Sequence, residues 1–289
     1  MSTKGKKVKI IYVISMIVSL FVLNLNARES GYSFSAAIVG MSMDYKEYGV
    51  KGIYDAPVNL EELLDSEESM LNEIMGVDYE VKYTNVLENK NYMNFGISFT
   101  YLIGQTKYTG SYISSTSKYG SVVSRTLNAV ADTALEYTYM HNLNDRIVIG
   151  GGVGVGYRYW KRALSSTQIE VYKWFSVRPI VLSEYNINGF TLGLKLEYQY
   201  GISPEMLIFA DTQNPDTTVK LGSANIFVTS LPLRYSINKN LEIFAEYTYE
   251  YQTIEKSNLV DYNGIKNNLW EPRSVANNQY IKLGATFKF

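Results

Sequence analysis

The chain has 289 residues, with 27 basic and 28 acidic side chains, one histidine and no cysteine. The balanced charge excludes a generally basic nucleic-acid binder. The absence of cysteine excludes disulfide scaffolds, thiolate metal sites and cysteine nucleophiles. The 26 tyrosines point towards strands and membrane interfaces, where tyrosine is enriched.

The N-terminus has the features of a secretion signal. Four lysines within residues 4–9 precede an apolar run from Ile10 to Leu23, and the small residue Ala27 follows. The run is shorter than the ~20 apolar residues that a spanning helix needs. We therefore predict a signal peptide over residues 1–27 and a mature domain over residues 28–289. An uncleaved membrane anchor is the alternative.

An acidic stretch follows the first predicted strand. Residues 52–81 hold nine acidic side chains, and no basic residue lies between Lys51 and Lys82. Asn59 followed by Glu62 resembles a helix N-cap, and leucines at positions 60, 63 and 64 give a partly apolar helical stripe. The pattern predicts a short helix over 60–75 in a long first loop. If the strands described next close into a barrel, this helix would pack over the barrel mouth, bind divalent cations or dock a partner.

Apolar and polar residues alternate through most of the remaining chain. Alternation with a period of two places apolar side chains on one face of a β-strand. We predict ten strands, which are 31–45, 91–103, 106–115, 125–141, 146–162, 170–185, 190–203, 223–237, 241–255 and 277–289. Many exceed the ~5–6 residues that are common in globular proteins.

The predicted connections alternate between short and long. Tight turns are predicted at 104–105, 142–145, 186–189 and 238–240, and longer loops at 46–90, 116–124, 163–169, 204–222 and 256–276. This alternation predicts an all-β fold, a transmembrane antiparallel up-and-down β-barrel with both termini on the short-turn side. Residues 31–45 must then pair with 277–289, because lipid offers no partner to an open sheet edge.

The last predicted strand ends in a position-specific pattern. Lys282, Gly284, Phe287 and Phe289 occupy polar, small, aromatic and terminal aromatic positions. This pattern resembles the C-terminal assembly signal of bacterial outer-membrane β-barrels, which the barrel-assembly machinery reads in that family. The resemblance implies the outer membrane of a Gram-negative bacterium, with membrane lipid and lipopolysaccharide as surroundings. An ordinary amphipathic final strand is the alternative.

Size and strand count also resemble the omptin barrels. That family consists of proteases that use an Asp–His pair and an Asp–Asp pair near the extracellular rim. The only histidine here is His141, which falls at a predicted periplasmic turn. The resemblance therefore concerns architecture alone. We expect no catalytic site, and an omptin-like hydrolase is the least favoured alternative.

Four glycines share one face of the fifth predicted strand. Gly150, Gly152, Gly154 and Gly156 fit neither a P-loop nor a dinucleotide-binding fingerprint. Glycines on the inner face of a barrel permit curvature or make room for bulky neighbours. We expect this structural role.

Charged residues collect on the lumen face of the later strands. The predicted lumen charge network comprises Arg178, Lys195, Glu197, Arg234, Glu242, Glu246, Glu250, Lys282 and Lys288. Such charges either pair with one another or line a permeation path. Ten strands lie near the size at which side chains fill the interior, so we expect a plugged or very narrow lumen.

Aromatic and cationic residues lie near the outer ends of strands five and six. Arg158, Trp160, Tyr172 and Trp174 share the lumen face. They could form a mouth platform for sugars or lipid headgroups, but an interfacial aromatic girdle is the favoured interpretation.

These patterns predict an outer-membrane barrel with a surface-exposed structural, adhesive or ligand-docking role. We expect no cofactor, no metal site and no nucleic-acid partner, and the sequence identifies no extracellular ligand. A narrow channel for small solutes is the alternative.

Overall fold

The computed structural model describes residues 30–88, 91–111, 118–209, 217–262 and 264–289. The predicted signal peptide lies outside these ranges and stays a prediction. The strands in these ranges are β1 (Gly31–Gly49), β2 (Glu62–Glu68), β3 (Ile74–Val86), β4 (Tyr92–Gly110), β5 (Val122–Asn142), β6 (Ile147–Ala163), β7 (Ile169–Ile187), β8 (Phe190–Phe209), β9 (Thr217–Lys220), β10 (Ala224–Ser236), β11 (Leu241–Ile254), β12 (Val260–Tyr262), β13 (Ile265–Leu269) and β14 (Arg273–Lys288). A single 3-10 turn, Val58–Leu60, precedes β2 among the described residues. None of the described helical segments is long and apolar enough to cross a membrane.

Ten strand positions close into one antiparallel barrel. Pairing runs from β4 through β5, β6, β7 and β8 to β10, β11 and β14. β14 then pairs with β1 from Ser33, opposite Lys288, to Tyr48, opposite Arg273. The predicted pairing of the first and last strands is confirmed, and it leaves this sheet without an open edge.

The place between β1 and β4 in the barrel is filled by a part of the chain for which the sequence predicts a loop and a helix. β2 and β3 follow one another along one line between β1 and β4. The helix predicted over 60–75 and the loop predicted over 46–90 are therefore wrong. The separate strand predicted over 106–115 is also wrong, because β4 runs unbroken to Gly110. The two errors cancel, and the predicted total of ten barrel strands is confirmed.

Residues 69–73 bulge out between β2 and β3. Met41 of β1 lies opposite Ile74, and Asp44 lies opposite Glu68. Two residues of β1 therefore face five residues of the neighbouring position. The ladder is held across this gap because the N–H of Met43 donates to the side-chain oxygen of Ser69 at 3.0 Å.

Glycines in both neighbouring strands make room for the bulge. A Cβ atom on Gly40 would lie 2.6 Å from the carbonyl oxygen of Leu71, and one on Gly104 would overlap the backbone at Glu73. The N–H of Gln105 donates to that same Glu73 carbonyl at 3.2 Å. The predicted turn at 104–105 is thus a close approach of two backbones within a continuous strand.

The outward-facing side chains form an apolar band around the barrel. On β8 this band comprises Phe190, Leu192, Leu194, Leu196, Tyr198, Tyr200 and Ile202. Past the band the strands continue, but their outward residues become polar, as at Lys107 after Ile103 and at Lys161 after Tyr159. An apolar band with aromatic borders is the pattern of a barrel that stands in lipid.

Short and long connections lie at opposite ends of the barrel. The end where β1 begins and β14 ends, here the terminal end, has the turns 143–146, 188–189 and 237–240. β3 also ends there, at Val86, and β4 begins there, at Tyr92. Asn188 and Gly189 have positive φ angles of 49° and 83°, as a tight hairpin turn requires. The opposite end, here the loop end, carries the longer connections, including 50–61, 111–121 and 255–272.

The predicted assembly-signal residues end the closing strand. Lys282, Gly284 and Phe287 lie on β14, and the N–H of Phe289 donates to the carbonyl oxygen of Tyr32 at 2.8 Å. The strand that carries these residues therefore finishes at the terminal end of the barrel. Their recognition by assembly machinery stays a prediction.

Candidate functional site in the barrel lumen

The inward faces of the strands build three layers. Along β1 from the terminal end, the inward residues are Ser33 and Ser35, then Val39, Met41 and Met43, and finally Tyr45 and Glu47. The first level belongs to a polar cavity. The second belongs to an apolar layer, and the third belongs to a cluster around Arg162.

The polar cavity has a volume of about 590 Å³ and begins between Gly31 and Phe289 at the terminal end. Its innermost polar residues include Arg158 and Gln199. The charged residues along its wall are Asp78, Glu80, Lys82, Asp132, Glu136, Arg158, Arg178, Glu184, Lys195, Glu197, Arg234, Glu242, Glu246, Glu250, Lys282 and Lys288. The structure therefore places all nine residues of the predicted network in one cavity wall.

The inner part of this wall holds a chain of bidentate ion pairs. Arg178 donates to the two carboxylate oxygens of Asp132 at 2.8 and 3.0 Å. Arg158 donates to the same Asp132 at 3.2 Å and to both oxygens of Glu250 at 3.0 and 2.7 Å. Paired guanidinium and carboxylate groups offset each other's desolvation, which is the expected condition of buried charges.

Nearer the terminal end, two lysines are each shared by two carboxylates. Nζ of Lys282 lies 3.1 Å from Asp78 and 3.6 Å from Glu246. Nζ of Lys195 lies 2.8 Å from Glu136 and 2.8 Å from Glu197. We call these groups the Lys282 triad and the Lys195 triad.

A further pair of contacts lies closest to the chain ends. Arg234 donates to Glu184 at 2.8 Å, and Lys288 donates to Glu242 at 3.0 Å. Glu242 also lies 3.9 Å from Arg234. The network therefore continues to the terminal end of the cavity.

The glycine stretch of β6 accommodates this network. A Cβ atom on Gly156 would overlap the guanidinium of Arg178, and one on Gly154 would lie 3.1 Å from Cγ of Glu136. Side chains from the neighbouring strands thus occupy the space above the glycines. The expected structural role of these residues agrees with this packing.

The apolar layer fills the lumen above the cavity. Its buried members are Val39, Met41, Met43, Tyr45, Ile74, Leu102, Val130, Trp160, Tyr172, Trp174, Met206, Val219, Leu221, Ala224, Ile226, Ile254, Ala276 and Tyr280. A void of about 10 Å³ between this layer and the cavity is at the lower limit for a single water molecule. Within the described residues, the layer separates the polar cavity from the loop end.

The residues predicted for a mouth platform lie inside these layers. Trp160 and Trp174 are 3% and 2% exposed, so the favoured interpretation of an interfacial girdle is wrong for both. Trp160 stacks on Tyr172 with ring centroids 4.9 Å apart. Arg158 is engaged in the ion pairs below. The four residues are too buried to offer an open surface to a sugar or a headgroup.

Arg162 is the centre of a buried cluster at the loop end. Its guanidinium lies 2.8 Å from Glu47, 2.9 Å from Glu67 and 2.9 Å from Glu170. The ring of Tyr45 lies below the guanidinium, 4.5 Å from its centre. One cation therefore holds carboxylates from β1, β2 and β7.

Two further carboxyl groups extend the Arg162 cluster. Glu271 accepts a hydrogen bond from the hydroxyl of Tyr172, which itself accepts one from Arg162 at 3.1 Å. Asp65 accepts a hydrogen bond from Tyr108 at 2.7 Å. Five carboxyl groups thus surround one guanidinium, and their negative charges are incompletely compensated.

The protonation of this cluster follows from its burial. Burial raises the pKa of Glu170 to about 7; the nearby Arg162 lowers it and the Glu47 carboxylate raises it. Burial also raises the pKa of Asp65 to about 7, and the negative charge of Glu47 raises it further in the same direction. Burial and the neighbouring carboxylates raise the pKa of Glu271 well above its usual range. These groups lie beyond the apolar band, at the loop end.

Sequence alternation alone does not identify the Arg162 cluster. Arg162 shares the lumen face with Arg158 and Trp160, so its inward direction could have been found from alternation. Three of its partners could not, because Glu47, Glu67 and Glu271 fall in predicted loops. The single histidine, His141, is exposed at the terminal end of β5, at the opposite end from this cluster.

Comparisons with known proteins place the fold. No family model matches the chain, and no curated protein matches it. Among solved structures, the outer membrane protease OmpT from Escherichia coli is similar with a TM-score of 0.57 and 12% identity, covering 92% of this chain and 99% of that chain. Two other solved structures are less similar. They are the translocator domain of the autotransporter NalP from Neisseria meningitidis (TM-score 0.41, 11% identity, covering 99% of this chain and 97% of that chain) and the toluene transporter TbuX from Ralstonia pickettii (TM-score 0.37, 9% identity, covering 91% of this chain and 90% of that chain). The chain thus has the closed, ten-stranded antiparallel barrel fold seen in a bacterial outer membrane protein.

Proposed function

We propose that the protein stands in the outer membrane of a Gram-negative bacterium, does not conduct solutes and docks a ligand at its loop end. The apolar band supports the membrane location, with lipid and lipopolysaccharide as its surroundings. The loop end then faces outwards, since short turns face the periplasm in such barrels. Lys282, Gly284, Phe287 and Phe289 serve as the signal that the barrel-assembly machinery reads.

The observation that carries the docking role is a preformed surface at the loop end. The connections 50–61 and 255–272 pack together at this end. The rings of Tyr54 and Trp270, one from each connection, meet edge to face with centroids 5.6 Å apart. Nζ of Lys256 donates to the carbonyl of Tyr54 at 3.0 Å and to Asp55 at 3.0 Å. The apolar layer behind this surface closes the lumen on that side, so a ligand that approaches from outside meets the loop end.

This surface presents apolar side chains to solvent. Ile53, Val58 and Leu60 are 55%, 69% and 60% exposed. Exposed apolar residues grouped on a braced loop are typical of interaction sites. Catalysis is not part of the proposal, since the chain's one histidine lies at the terminal end.

The absence of conduction is the first expected result. The intact protein, reconstituted in a planar bilayer, is expected to give no steady ion current, because the apolar layer fills the lumen. The variant with Trp160→Ala and Trp174→Ala removes two of the largest side chains of that layer and is expected to conduct. Folding of both proteins is checked by heat-modifiable gel mobility.

A steady current through the intact protein would favour the narrow channel instead. The cavity at the terminal end is the feature that favours this alternative. A matched control is Phe175→Ala, which removes a large side chain from the outward face of β7 and should leave the current unchanged.

Adhesion is the second expected result. Vesicles that carry the protein with its loop end outwards are expected to adhere to a hydrocarbon-coated surface through Ile53, Val58 and Leu60. The triple replacement of these residues by Asp should reduce retention severalfold, because each buried apolar side chain contributes about 1.5–3 kcal/mol. Leu143→Asp, at the terminal end, is the control. Equal retention of the triple variant and the intact protein would rule out this surface.

A further inference from the structure

The polar cavity has the shape of a binding pocket. Its volume of about 590 Å³ lies within the range of ligand pockets, about 300–1,000 Å³. Within the described residues, the apolar layer closes its inner end. An occupant would therefore enter and leave by the terminal end.

The charge of the cavity wall is unbalanced. The described residues that line it include nine carboxyl groups and seven basic side chains. The imbalance is most direct at the Lys282 triad, where two carboxylates share one ammonium group. Two carboxylates also share Lys195, and Glu197 of that triad lies 3.8 Å from Arg178. The Lys195 triad therefore joins the arginine pairs in a linked set of four carboxylates and three cations. Uncompensated negative charge inside a barrel is costly unless a cation joins it.

A buried acceptor without a partner also lies in the cavity wall. Gln199 is 4% exposed, and its side-chain N–H donates to Glu197 at 2.7 Å. Its side-chain oxygen Oε1 receives no hydrogen bond within the described structure. A buried acceptor left without a donor is unfavourable, so it favours a ligand that carries N–H groups.

We propose that this cavity binds a small linear organic dication of the diamine class, which enters from the terminal end. One ammonium group of the ligand lies beside the Lys282 triad and the other beside the linked set that contains Lys195, and each of these groups carries one excess negative charge. Gln199 accepts a hydrogen bond from the ligand. The inference goes beyond the docking role and does not depend on it.

An organic cation fits better than a bare metal ion. The carboxylates of each triad are already held apart by a lysine ammonium group, so a metal ion could bind two of them only by displacing that lysine. The cavity is also far larger than an ion. A flexible chain with a charge at each end can place one ammonium group beside each of the two lysine triads.

The test is equilibrium binding of putrescine to the folded full chain in detergent, measured by calorimetry. Putrescine is expected to bind saturably, whereas butylamine should bind about tenfold more weakly, because it carries one charge instead of two. Butanediol, which is uncharged and similar in length, should not bind. Equal heats for putrescine and butanediol, or no saturation by putrescine, would overturn the proposal.

Variants locate the site. Glu246→Gln removes one carboxylate of the Lys282 triad and should weaken putrescine about tenfold. Gln199→Leu leaves every charge in place, so it serves if Glu246→Gln does not fold, and it should weaken putrescine severalfold. Glu205→Gln is the control, since Glu205 pairs with Lys173 on the outer surface at 2.9 Å. Unchanged affinity in both cavity variants would exclude this pocket, while the conductance and adhesion results would still stand.

Discussion

Arg162→Met is expected to destabilise the folded barrel by about 3–5 kcal/mol, because it removes the one cation from a buried group of carboxylates. The guanidinium is 1% exposed and contacts Glu47, Glu67 and Glu170 within 3 Å. Methionine fills much of the same space, so the lost stability reflects the removed charge more than the removed volume. Urea-induced unfolding in lipid vesicles measures it, and the fluorescence of the neighbouring Trp160 reports the transition.

The pH dependence of stability gives an independent check on this cluster. The folded state holds a proton on Glu170 up to about pH 7, whereas the unfolded chain releases it near 4.5. The stabilisation is therefore fully present below about pH 4.5 and is lost as the pH rises through about 7. Glu170→Gln should flatten this decline. The cost of Arg162→Met should likewise be smaller at about pH 5 than at about pH 8.

A surface arginine provides the matched control. Arg125 is 61% exposed and lies 3.6 Å from Glu73, so Arg125→Met should change stability by at most about 1 kcal/mol. Similar effects of the two replacements would mean that the Arg162 cluster does not hold the loop end together.

The cluster shows where sequence alternation stops being informative. Within the apolar band, one face meets lipid and the other meets the lumen, so the pattern places Lys195, Glu246 and Lys282 correctly. Beyond the band, both faces of a strand meet polar surroundings. Glu47 and Glu67 then look like loop residues, although both lie on strands and are buried. Which carboxylates converge on Arg162 depends on strand register, which the chain pattern alone does not give.

Deletion of residues 62–86 is expected to abolish the folded barrel. The segment holds β2 and β3, which together pair with both β1 and β4. Nine strands would remain, and β1 and β4 would have to meet in a new register. Each backbone group left unpaired in lipid costs several kcal/mol. Loss of heat-modifiable mobility in lipid and detergent measures the effect.

The control removes a hairpin outside the barrel. β12 and β13 pair only with each other among the described strands, so deletion of residues 260–269 should leave the barrel folded. A folded protein after deletion of 62–86 would mean that the acidic stretch is the loop which its composition suggests.

This segment also shows why the second strand was missed. Val77, Tyr79, Val81 and Tyr83 alternate with Asp78, Glu80 and Lys82, which is the pattern of a barrel strand. The nine acids of the longer stretch suggested a solvated helix, yet Glu67 and Asp78 are buried in the lumen. The bulge at 69–73 breaks the period of two between β2 and β3, so the two strands do not appear in the sequence as one continuous alternating segment.

The pairing of β1 with β14 has a consequence for the rate of folding. The side chains of Ser35 and Thr286 share a hydrogen bond of 2.9 Å across a separation of 251 residues. Bringing together the ends of a flexible chain of this length costs about 5 kcal/mol of entropy beyond the constant term. Hairpins between neighbouring strands avoid most of that cost, so they form first. Closure of the barrel is then the slow, non-local step, and both edges stay open to other chains until it is complete.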